Sequence, residues 1–105
     1  MMTTKTINGI CHARVNGEMT IYTAMECRDL LRQCLHAGEK EVEIDLSGVT
    51  EIDSAGLQLL IQAKRAGARL GKPVRLVSHS PAVLEMIDLY QLAPEFGDLM
   101  IMSAR

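Results

Sequence analysis

Val42, Ile44 and Leu46 alternate with Glu43 and Asp45, and this period of two predicts a strand with one apolar face. Further on the period changes. Leu57, Leu60 and Ile61 recur at helical spacing, with Lys64 and Arg65 on another face. Residues 50–56, read Thr-Glu-Ile-Asp-Ser-Ala-Gly, join the two elements. Asp53 or Ser54 caps the helix, because either side-chain oxygen can accept from the first unsatisfied backbone N–H groups. A serine hydroxyl is thereby expected at the positive end of a helix dipole, where strand turns to helix.

The same patterning extends in both directions. Short strands over 4–7 and 10–15 flank Asn8-Gly9, a dipeptide suited to a hairpin turn in which both central residues take positive φ. Asn16-Gly17-Glu18 reads as a second turn leading into Met19-Thr20-Ile21-Tyr22. Thr23 with Glu26 has capping-box spacing. The helix that follows carries Cys27, Leu30, Leu31, Cys34 and Leu35 on one face and stops at Gly38. Gly71-Lys72-Pro73 breaks the chain after the second helix, and a strand over 74–77 follows. Ser80-Pro81 then starts a helix with Val83, Leu84 and Ile87 on its apolar side. Pro94 ends that segment, and 99–102 reads as a last strand.

The expected fold is α/β: a single domain over 1–105 with a mixed β-sheet, helices and an N-terminal β-hairpin. Right-handed crossovers would gather the loops at the carboxyl ends of the strands on one edge, among them the Asp53-Ser54 turn and the loop entering the Ser80 helix.

Composition narrows the function. A length of 105 residues suits one core, and 48% apolar with 23% charged residues is ordinary globular usage rather than disorder. Two Tyr, one Phe, no Trp and a net charge of −2 argue against a nucleic-acid surface, which needs a basic stripe and stacking aromatics. No apolar run is long enough to insert in a membrane, and the amino-terminal residues lack a secretion signal, so a soluble cytoplasmic protein is expected. Cys27 and Cys34, seven residues apart on one helix, are separated by roughly 10 Å along its axis, too far for a disulfide. With Cys11 in a strand, all three cysteines read as small buried hydrophobes. His12, His36 and His79 lack ligand spacing, and no metal or other cofactor is expected.

Nor does the serine sit in a hydrolase motif. A nucleophile elbow requires glycine two residues before the serine, and Ile52 occupies that position although Gly56 follows correctly. A phosphate-binding Gly-x-x-x-x-Gly-Lys-Ser/Thr run is also missing. The expected protein is a binding module rather than an enzyme.

Residues 49–60, centred on Asp53-Ser54-Ala55-Gly56-Leu57, resemble the signature of the STAS domain, the family of bacterial anti-sigma factor antagonists. Residues 17–24, Gly-Glu-Met-Thr-Ile-Tyr-Thr-Ala, resemble that family's first turn and helix start, with Thr20 where the family has aspartate. Ser80-Pro81-Ala82-Val83 followed by Leu92 resembles its third helix, although Gln91 stands where a glycine usually precedes that leucine.

The resemblance implies that Ser54 is phosphorylated by a partner serine kinase, itself an anti-sigma factor, and dephosphorylated by a phosphatase. The unphosphorylated form would bind the kinase and the phosphorylated form would let go. Asp53, Ala55 and Thr20 would belong to the same partner-binding region. Gln58, Leu59 and Gln62 lie off the Leu57, Leu60 and Ile61 face, so Leu59 is either the centre of a contact patch or simply core. The family also includes small subunits beside membrane-transport ATPases and other signalling modules, some of them not phosphorylated, which is the alternative function.

Overall fold

The computed structural model describes residues 2–90 of the chain. Strand β1 (Met2–Ile7) and strand β2 (Ile10–Met19) form the expected antiparallel hairpin. Its turn uses positive φ at both Asn8 (53°) and Gly9 (82°), as a two-residue loop between twisted strands requires. Strand β3 (Glu41–Ile52) runs parallel to β2, and strand β4 (Val74–Val77) parallel to β3, giving the sheet order β1-β2-β3-β4. Helix α1 (Ala24–Ala37) links β2 to β3, helix α2 (Ser54–Arg69) links β3 to β4, and helix α3 (Pro81–Leu89) follows β4. The strand expected over 99–102 and the stop at Pro94 lie outside the described residues, as do Gln91 and Leu92.

Asn16-Gly17-Glu18 does not turn. Strand β2 passes straight through it, and its register against β3 shifts between Arg14 and Asn16 and again between Gly17 and Glu18. Such bulges bend a strand without ending it, and Gly17 supplies the positive φ, 101°, that one of them uses. On the facing strand Gly48 leaves room for the irregularity, since a Cβ there would lie 2.6 Å from the Val15 carbonyl oxygen. Residues 50–52, expected in the connection, likewise continue β3. Both strands therefore reach the same level, with Met19 opposite Ile52.

Val42, Ile44 and Leu46 enter the core as their alternation demands, in one buried cluster with Leu31 and Cys34 of α1, Leu57 and Leu60 of α2 and Val83 and Ile87 of α3. Each fully buried aliphatic side chain of this kind contributes about 1.5–3 kcal/mol relative to exposure. Glu41 and Glu43 point to the other face of β3, where Arg75 of β4 donates to Glu41 at 2.6 Å and to Glu43 at 2.9 Å. The His12 ring lies 3.0 Å from the second Glu43 oxygen. The Glu41 carboxylate, more than Glu43, raises the Arg75 pKa above its usual value. On so exposed a face these pairs contribute at most about 1 kcal/mol each.

The cysteine expectation needs correction. All three are buried, but Cys11 of β2 and Cys34 of α1 are joined in a disulfide with Cα atoms 6.0 Å apart, while Cys27 remains a buried thiol. Helix α1 packs on β2, and that packing brings together two residues 23 positions apart. Burial raises the pKa of the Cys27 thiol, so it resists ionisation and behaves as a small hydrophobe.

Ser80 caps α3 as expected, its hydroxyl accepting from the Val83 N–H at 3.3 Å, with Pro81 as the first helical residue. Val83 and Ile87 bury that helix against the core. Among the described residues no helix is long and apolar enough to cross a membrane.

Candidate functional site

Because β2 and β3 are parallel and end level, their exit loops meet. The Asp53 N–H donates to the Met19 carbonyl at 3.2 Å, a last rung between the strands. Chain direction then diverges: β2 leads into residues 20–23 and α1, whereas β3 turns at Asp53 into α2.

Asp53 is the N-cap, which settles the choice left open by the sequence. Its backbone is extended, and its Oδ1 accepts from the N–H groups of Ala55 at 3.0 Å and Gly56 at 3.1 Å. The other oxygen, Oδ2, reaches across to accept from the Ile21 N–H at 2.9 Å. One carboxylate thus fixes the start of α2 and the neighbouring loop at once. The Ile21 N–H is the largest cause of a pKa held below the ordinary carboxylate value, the Gly56 and Ala55 N–H groups adding to it.

The loop has its own bracing. The Thr20 N–H donates to the Thr23 hydroxyl at 3.0 Å, and the Thr20 hydroxyl donates to Glu18 at 2.9 Å. Thr23 therefore closes this turn and makes no side-chain cap to α1, contrary to the capping-box expectation. Thr20 itself is buried, so it shapes the loop rather than offering a surface.

Gly56 allows the two loops to approach. A Cβ at Gly56 would run into the Met19 carbonyl oxygen and lie 2.8 Å from its carbon. The run Asp-Ser-Ala-Gly-Leu thus has a physical content. Asp53 caps, Gly56 lets the backbone of β2 come close, and Leu57 anchors the first turn in the core.

Ser54, the first residue of α2, is exposed, and Gln58 and Gln62 follow it at four-residue spacing on the exposed side of the helix. Ala55 is half-buried beside the cap. Leu59, which the sequence left between patch and core, is only 8% exposed, because α1 packs beside α2 and widens the apolar stripe. The sequence reading missed three neighbours of this site. Ile21, Tyr22 and Met25 stand 68%, 91% and 71% exposed on the loop and helix start tied to Asp53. Their signal was an apolar run at a turn, which reads equally well as the end of a strand.

The family model described as "Mlab, STAS domain" matches residues 6–100. The anti-sigma-B factor antagonist of Staphylococcus epidermidis is 26% identical over 76 residues, 72% of this chain and 70% of that protein. Among solved structures, an anti-sigma factor antagonist from Mycobacterium paratuberculosis superposes with a TM-score of 0.78 at 24% identity, covering 91% of this chain and 83% of that one. The Bacillus cell fate determinant SpoIIAA in its phosphorylated form gives 0.68 at 16% identity over 90% and 86% of the two chains. At these identities the structural matches show a shared fold.

Proposed function

This chain belongs to the STAS domain family, and we propose that it is a regulatory protein like the anti-sigma factor antagonists, binding a partner through the pole around Ser54 and controlled by phosphorylation there. The observation that carries the reading is the fixing of an exposed Ser54 beside exposed Ile21, Tyr22 and Met25 by the single carboxylate of Asp53. The relative named an anti-sigma-B factor antagonist supports it. On this reading the partner is a serine kinase that is also an anti-sigma factor, a phosphatase reverses the modification, and the protein is a binding switch without catalysis of its own.

Each residue then has a defined part. Ser54 accepts the phosphoryl group. Ala55 and Gln58 border the contact, and Gln62 extends it along the exposed side of α2. Asp53 and Thr20 hold the loop in place from beneath, and Leu59 supports the helix from the core.

The charge of the site gives the switch its direction. A phosphoryl group brings close to two negative charges at neutral pH. The Ala55 and Gly56 N–H groups are already taken by Asp53, itself ionised, so the new charge is not absorbed by the helix start. A partner that covers exposed Ile21 and Tyr22 at this pole would also cover the modified serine. Desolvating the charge there would weaken binding while the fold stays intact.

The alternative is a subunit of a transport ATPase, bound at the same pole without phosphate control. The two separate by experiment. Mass spectrometry of the Ser54 peptide from native cells, growing and stressed, should find phosphate whose occupancy changes with condition. Titrations of the co-purifying partner should give tight binding to wild type and Ser54→Ala and weakened binding to Ser54→Asp. Equal affinity for all three forms would remove the switch, and co-purification of an ATPase with unmodified Ser54 would select the alternative.

A further inference from the structure

On the flank formed by α1 and α2 lies an open groove of about 380 Å³. Its floor is apolar, made by Leu31 and Leu35 of α1 and Leu59 and Ala63 of α2, all at most 8% exposed. Its rim is basic. Arg28, Arg32 and His36 follow one another at four-residue spacing along α1, and Arg69 closes the far side from α2. Among the described residues no acidic side chain lines the groove, although acidic residues outnumber Lys and Arg by 13 to 11 in the whole chain. Arg28 has Asp29 at 3.9 Å, a long and exposed pairing that leaves its guanidinium largely to solvent.

We infer that this groove is a docking site for an acidic amphipathic helix of a partner protein. The spacing of the charges favours a helix. Residues four apart on α1 rise roughly 6 Å per step, and a stripe of Asp or Glu at the same interval on a second helix repeats at the same roughly 6 Å. A small anion would meet one such charge at a time. The concave shape favours it too, because the apolar floor is recessed below the arginines. A ridge of aliphatic side chains fits between the two helices, whereas a flat bilayer does not reach the floor. Arginine suits the rim because its planar fork binds carboxylates in pairs. The groove shares Gln62 and Leu59 with the partner-binding region proposed above, but its basic rim is formed without Ser54 or the loop at residues 20–23, so its recognition of charge does not pass through the phosphorylation switch.

The test uses the whole protein as bait against a displayed library of amphipathic helices whose apolar face is fixed and whose polar face varies among Glu, Lys and Gln. Enriched clones should be acidic and should lose at least about tenfold in affinity for Arg32→Glu/Arg69→Glu. They should bind Ser54→Asp as well as wild type, which separates this site from the proposed switch. Both arginines are exposed, and an unchanged circular dichroism melt confirms that the double variant folds. Vesicles of anionic phospholipid serve as the competing probe. Clones without an acidic signature, clones that bind the double variant equally, or arginine-dependent vesicle binding with no helix enriched would each overturn the inference.

Discussion

Ile21 and Asp53, 32 residues apart in sequence, are joined by a 2.9 Å hydrogen bond from the Ile21 N–H to Asp53 Oδ2. Because Oδ1 of the same carboxylate caps α2, removing it releases both the helix start and the loop. Asp53→Ala should cost about 1–2 kcal/mol of stability in urea unfolding. It should also speed amide exchange at Ile21, and protection unchanged at Ile21 would show that the loop holds itself.

The same carboxylate sets a pH dependence. Its folded pKa lies below the ordinary 3.8, so its contribution is fully present above the unfolded value and is lost as pH falls through the folded one. Asp53 is close to solvent, so the effect is modest. The urea midpoint should fall between about pH 5 and pH 2, and less steeply in Asp53→Asn than in wild type. Parallel slopes for the two proteins would assign the acid sensitivity to other carboxylates.

Gly56→Ala tests a conflict of two effects. Alanine in a helix is ordinarily better than glycine by about 0.5–1 kcal/mol. Here its Cβ would overlap the Met19 carbonyl, and crowding of that kind costs about 1–3 kcal/mol. The contact wins, so the variant should be less stable than wild type. A gain would mean that α2 can slide away from β2 without loss.

What the sequence made legible was local. Asn8-Gly9, Ser80-Pro81 and the strand over 74–77 carry their instructions within a few residues, and each is found where it was expected. Asn16-Gly17-Glu18 misled because a glycine at positive φ serves a turn and a bulge equally, and only the presence of β3 alongside decides for the bulge. At the site, the run around Ser54 identified the helix start. The reach of Asp53 to Ile21, the exposure of Tyr22 and the burial of Leu59 depend on which elements pack together. The cysteine pair belongs to the same class, since no local pattern relates Cys11 to Cys34.

That pair has a measurable consequence. Cross-linking residues 23 positions apart restricts the unfolded chain and should stabilise the protein by about 3 kcal/mol. Reductant should therefore lower the melting temperature of wild type. Cys34→Ala should start lower and be insensitive to reductant, and a wild-type melt that reductant leaves unmoved would show the link to be absent in solution.

Tyr22 separates binding from folding. At 91% exposure its ring contributes little to the core, so Tyr22→Ala should change stability by no more than about 0.5 kcal/mol. If the pole around Ser54 is the docking surface, the same change removes a large amphipathic anchor and should weaken the partner complex by about tenfold or more, chiefly through faster dissociation. Ile7, 44% exposed beside the hairpin turn at the opposite end of β2, supplies the control. Ile7→Ser should leave the complex untouched. Equal losses from the two variants in surface plasmon resonance would place the contact elsewhere, because only Tyr22 sits on the loop that Asp53 ties to Ser54.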